Sequence, residues 1–151
     1  MKGFTLIELV VTVAVIGVIA TIGLSSFSGL NSEEALRMEV EKIVSVLSKA
    51  RFQTISAKGG VAYGVHLEER KAVLFPGGVY SPSDKNNQSY PLQGAVRISV
   101  ISLAGGGSDV IFKKLSGATT QHGTVTLSLA RNAQASSTIT IGATGVAYSE
   151  Q

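Results

Sequence analysis

Cysteine is missing from the sequence altogether. That excludes a disulfide framework, a thiolate metal site and a cysteine nucleophile, and it removes the usual redox clue to compartment. Aromatic residues make up only 6% of the chain and charged residues 15%. The formal charge of +3 is slight and spread along the chain, so by itself it implies neither a nucleic-acid nor an acidic-lipid partner. Glycine, by contrast, is plentiful at seventeen residues. With the many Ser and Thr this composition favours short strands and turns over a helical bundle. A chain of 151 residues has room for one globular domain plus one dedicated segment.

That segment is at the start. Phe4 to Leu24 is apolar apart from one carboxylate, Glu8, and the hydroxyls of Thr5, Thr12 and Thr21. As a helix it spans about 30 Å, the thickness of a hydrocarbon core. A cleaved secretory signal needs a shorter apolar core and a small-residue cut site, whereas polar punctuation arrives only at Ser25 and Ser26. Lys2 and the amino terminus place the start of the chain in the cytoplasm and the rest outside. A carboxylate in the apolar layer costs about 2–3 kcal/mol. On spacing alone two readings of Glu8 stand: it lies one turn inside at headgroup level, where Lys2 or a lipid amine suffices, or it waits for a cation from elsewhere.

Gly3-Phe4-Thr5-Leu6-Ile7-Glu8 resembles the processing motif of type IV prepilins and type II secretion pseudopilins. The resemblance implies cleavage between Gly3 and Phe4 by a membrane prepilin peptidase, N-methylation of Phe4, and pairing of Glu8 with the Phe4 amine of a neighbouring subunit. It also implies as partners other pilin or pseudopilin subunits and an inner-membrane assembly platform. The expected location is the inner membrane, crossed once, and then a periplasmic pseudopilus or a surface pilus. No cofactor is implied. Expected divisions are a leader at 1–3, a membrane and filament-core helix with hinge at 4–30, and a globular domain at 31–151. Where many such chains carry proline near Ser25, this one reads Gly23-Leu24-Ser25-Ser26. Lack of cysteine weighs against a major pilin with a disulfide-closed loop.

Beyond the polar stretch Ser25–Ser32, the residues Leu36, Val40, Ile43, Leu47, Ala50 and Thr54/Ile55 recur at spacings of three and four, one apolar stripe of a helix. Asn31 and Glu34 fit a capping box at its start, and Gly59-Gly60 a stop. The period then becomes two. Val61–Leu67 and Lys71–Phe75 form a hairpin around Glu68-Glu69-Arg70. Further strands are expected at 95–103, 110–113, 124–130 and 138–141, with a last one at 146–148. Ser81–Gly94 is a polar loop. The fold class is α+β, a long N-terminal helix packed on an antiparallel β-sheet domain, and its pattern resembles the GspH/FimT class of minor pilins.

Chemistry is sparse. His66 lies on a strand with Glu68 on the same face, and His122 in a loop; Asp84 and Asp109 fall in turns, outside any cluster. Gly105-Gly106-Gly107-Ser108 lacks the lysine and helix of a phosphate loop. An enzyme is not indicated. DNA capture by a minor pilin is the alternative, but the tail Gly145–Gln151 has no arginine, and Arg97, Lys113, Lys114 and Arg131 are interspersed with apolar strand positions. A second alternative is a membrane-anchored binding protein that does not polymerise, and a third a secreted one. Asn87-Gln88-Ser89 fits a glycosylation sequon.

Overall fold

The computed structural model describes residues 3 and 5–149, excepting the side chains of residues 21–31. The chain divides into two units, Met1–Glu34 and Ala35–Gln151. A helix, α1, runs from Leu6 to Ile55. Its backbone passes through Asn31 and Glu34, so the capping box expected there does not start a helix. Asn31's side chain lies outside the described residues.

In the second unit, Leu36, Val40, Ile43, Leu47, Ala50 and Thr54 are all buried, as their spacing requires, and Val46 joins them. Ile55, on the same expected stripe, is 40% exposed. The helix also ends before the glycines. Ser56 donates to the Phe52 carbonyl and Ala57 turns left-handed at φ 51°. A 3₁₀ turn, Lys58–Gly60, follows, with Gly59 and Gly60 at positive φ. The Thr54 hydroxyl secures this junction, donating to the Ala50 carbonyl at 2.9 Å and accepting from the Tyr63 amide at 2.9 Å.

Eight strands follow: β1 (Tyr63–Glu68), β2 (Lys71–Pro76), β3 (Gln88–Pro91), β4 (Val96–Leu103), β5 (Asp109–Ile111), β6 (Gly123–Leu129), β7 (Asn132–Ile141) and β8 (Ala147–Ser149). They form two antiparallel four-stranded sheets, ordered β3-β2-β1-β5 and β4-β6-β7-β8. The architecture is α+β, a helix and antiparallel sheets, as the periodicity indicates. The expected Ser81–Gly94 loop is corrected, because it contains β3, which pairs with β2 from Lys71↔Pro91 to Leu74↔Gln88. As an edge strand it buries neither face fully, so it shows no alternation to read. Lys49 holds it by donating to Gln88 Oε1 at 3.0 Å and the Tyr90 hydroxyl at 2.7 Å. β7 begins six residues earlier than expected, at Asn132, because its first half is small, polar and mostly exposed.

The core is one cluster in which the helix stripe joins Val65, Leu67 and Leu74 of one sheet and Ile98, Leu127 and Ile139 of the other. Close approach requires glycine at Gly64 and Gly145, among others. A Cβ on Gly64 lies 2.5 Å from the Phe75 ring opposite it, and one on Gly145, at φ 78°, strikes the Gly117 carbonyl. Leu47 has no exposed surface, so Leu47→Ala is expected to destabilise the unit by about 2–5 kcal/mol, read as a lower denaturant midpoint with an unchanged slope.

Candidate functional site

Within the first unit, Thr5 to Ala20 present an apolar surface with one charge, Glu8. Every described side chain from Thr5 to Ala20 is exposed, among them Leu6 at 80% and Ile16 at 65%. Thr5 starts the helix: its carbonyl accepts from the Leu9 amide, and its hydroxyl accepts, at a long 3.4 Å, from the Glu8 amide. That is the geometry of an N-cap with its third helical residue. Thr5 went unnoticed as a cap in the sequence, although Thr5-Leu6-Ile7-Glu8 has the Ser/Thr-x-x-Glu spacing that signals one. One turn on, the Thr12 hydroxyl donates to the Glu8 and Leu9 carbonyls.

Glu8 therefore occupies the first turn of α1, where the positive end of the helix dipole favours a carboxylate. Among the described residues no cation pairs with it. Lys2 and Phe4 lie outside those residues. Gly3 precedes the helix, is exposed, and a Cβ on it meets nothing within 4 Å. Gly17 is likewise in open space, and a helix-interior glycine costs about 1 kcal/mol against alanine. Among the described residues nothing packs against either glycine. Gly23 and Gly29 fall where side chains are not described. Among the described residues no helix is long and apolar enough to cross a membrane; the run Phe4–Leu24 extends past Ala20 into that undescribed stretch.

In the second unit the expected isolation of Asp109 is corrected. Strand pairing sets His66 opposite Asp109, and His66 Nδ1 lies 2.5 Å from Asp109 Oδ1. Glu68 Oε1 is 3.8 Å from Nε2, and the imidazole stacks on Tyr80 at 3.9 Å between ring centroids. The sequence separation of 43 between His66 and Asp109 hid this pair. With a carboxylate off each ring nitrogen, the histidine binds strand to strand. Among the described residues no group of three His, Asp or Glu is placed to hold a metal ion. Asp84 is a turn residue, accepting from the Asn86 amide and side chain. The Asn87 side-chain nitrogen donates to the Ser81 carbonyl at 2.7 Å, so the sequon's acceptor nitrogen is engaged.

The basic residues are dispersed. Arg97 faces Glu69 at 3.7 Å, Lys114 donates to the Gly60 carbonyl, and Arg131 sits in the β6–β7 turn.

Two comparisons bear on the chain. Residues 1–24 match the family profile described as the prokaryotic N-terminal methylation motif. The fold is similar to the crystal structure of the type IV minor pilin FimU of Pseudomonas aeruginosa, strain PAO1, with a TM-score of 0.60. The chain carries an N-terminal methylation motif on a fold like that of a minor pilin. The likeness covers 83% of this chain and 92% of that one at 15% identity, so it concerns the fold alone. Among curated proteins none matches. In this pilin-fold chain the matched motif takes in Gly3, Thr5 and Glu8, the residues at which the helix begins.

Proposed function

We propose that the chain is a structural subunit of minor-pilin type in a type IV pilus or a type II secretion pseudopilus. It is stored in the inner membrane through Phe4–Leu24 with its start in the cytoplasm, cut by prepilin peptidase between Gly3 and Phe4, and methylated on Phe4. The observation that carries this reading is the lone carboxylate in the first turn of an exposed apolar helix. The helix end contributes about 0.3–1 kcal/mol to Glu8. Burial of its charge in lipid costs about 2–3 kcal/mol on insertion scales. A shortfall of about 2 kcal/mol remains, and the new Phe4 amine of an adjacent subunit supplies the compensating charge. Among the described residues a Cβ on Gly3 meets nothing within 4 Å, which supports the same reading, since such a glycine suits a residue read by another molecule.

The test is the mature mass. The processed chain is expected to lack Met1–Gly3, to gain one methyl group, and to give N-methylated Phe4 as its first residue. A mature start after Ser26, or an intact unmodified Met1 in a peptidase-positive cell, overturns the proposal.

A further inference from the structure

Beside the end of α1 the second unit holds a recess of about 540 Å³, within the range of about 300–1,000 Å³ found for small-molecule sites. Four segments build it. Gln53 comes from the last turns of α1 and Lys58 from the 3₁₀ turn, while Tyr63 opens β1 and Pro76, its partner in register, closes β2. Asp84 and Asn86 come from the turn before β3, and Gln88 is the first residue of that strand. The turn is fixed from inside. Asp84 Oδ1 accepts from the Asn86 amide and side chain, and the Asn87 side chain donates to the Ser81 carbonyl.

The wall of the recess carries a polar atom that the fold leaves unmet. Gln53 is only 7% exposed, and among the described residues its Oε1 accepts no hydrogen bond. Buried polar atoms almost always have a partner, so an unmet carboxamide on the wall of a recess marks the place of a ligand's polar group. Bonds already made leave the neighbouring groups with capacity to spare. Gln88 Oε1 takes Lys49 and the Tyr90 hydroxyl, which leaves its amide N–H groups. Asn86 uses its side-chain nitrogen on Asp84 Oδ1, which leaves the Asn86 Oδ1 and the Asp84 Oδ2 as acceptors.

The chemistry of the ligand follows from this lining. Lys58 and Asp84 are one cation and one anion, so the recess has no net charge with which to select an ion of either sign. What remains is a mixture of donors and acceptors. A hydroxyl is both, and it satisfies the Gln53 carboxamide whichever end faces it. Tyr63 and Pro76 add flat apolar surface on which the C–H face of a ring can lie. We infer that the recess binds a neutral polyhydroxylated ring, a hexose or N-acetylhexosamine unit of a glycan, with Gln53, Asn86 and Gln88 hydrogen-bonded to its hydroxyls. The site lies wholly within the second unit, so it is independent of the filament assignment.

The test is an amide-resolved magnetic resonance titration of the full-length, isotope-labelled chain in micelles of a detergent without a sugar head group. Glucose, galactose, mannose, N-acetylglucosamine and N-acetylgalactosamine are the probes, each taken to about 50 mM, past the millimolar range of weak binding. Inorganic phosphate and glycylglycine are the controls. At least one sugar is expected to shift the side-chain amide signals of Gln53, Asn86 and Gln88 together and saturably. Gln53→Leu, close in size, removes the unmet carboxamide. It should leave the denaturant midpoint unchanged or raised while weakening that sugar by roughly tenfold or more. The exposed Asn86→Ala should weaken it as well, and serves alone if Gln53→Leu does not fold. No saturable shift with any of the sugars, shifts confined to signals away from the recess, undiminished binding by either variant that folds, or saturation by phosphate or glycylglycine and by no sugar overturns the inference.

Discussion

Glu8→Ala is expected to leave the chain cleaved and membrane-bound yet absent from filaments. The substitution acts twice in the same direction. Under the proposed pairing it removes the costly charge from the stored subunit, stabilising it in lipid, and leaves a neighbour's Phe4 amine without its counter-ion. A compensation of about 2–3 kcal/mol per contact corresponds to about 30–150-fold in the docking equilibrium. Repeated along a polymer, that loss excludes the subunit. Glu8→Asp, which keeps the charge on a shorter stem, should retain part of the incorporation, and Glu8→Lys should do worse than alanine through like-charge repulsion. Immunoblots of sheared filaments and membranes measure the partition. Wild-type incorporation of Glu8→Ala refutes the pairing.

Gly3→Val is expected to block the pathway one step earlier. Among the described residues a Cβ on Gly3 meets nothing within 4 Å, so a processing defect in a folded valine variant points to the molecule that reads the residue. Close approach of a protease to the backbone tolerates poorly a branched side chain beside the cut, and a misplacement of about 1 Å costs on the order of 100-fold in rate. The variant should accumulate in membranes with Met1–Gly3 attached and no methyl group. Gly3→Ala is expected to fall between. Normal cleavage of Gly3→Val would place the recognition elsewhere, and the Thr5 cap and Glu8 would be the next positions to change.

How much was readable in advance follows from how local each signal is. The stripe Leu36–Thr54 is buried as its spacing demands, because a helical face is set by neighbours three and four residues away. The β1–β2 hairpin was legible for the same reason, its partners meeting across Glu69-Arg70 in register from Glu68↔Lys71. β3 was hidden because an edge strand exposed on both faces carries no alternation. The capping spacing occurs at both Thr5 and Asn31, and it caps only at Thr5, because a cap requires that the helix begin there and α1 is already helical through Asn31.

By itself the sequence determined the apolar run with its one carboxylate, the motif Gly3–Glu8, the helical stripe and the α+β class, all of which depend on contiguous residues and short periods. Only the tertiary structure decided that the strands divide into two sheets, that β3 pairs at the edge of the first, and that Asp109 meets His66. Those arrangements depend on strand pairings between segments tens of residues apart. Such pairings are chosen by which apolar faces can be buried together, and that quantity belongs to the whole core.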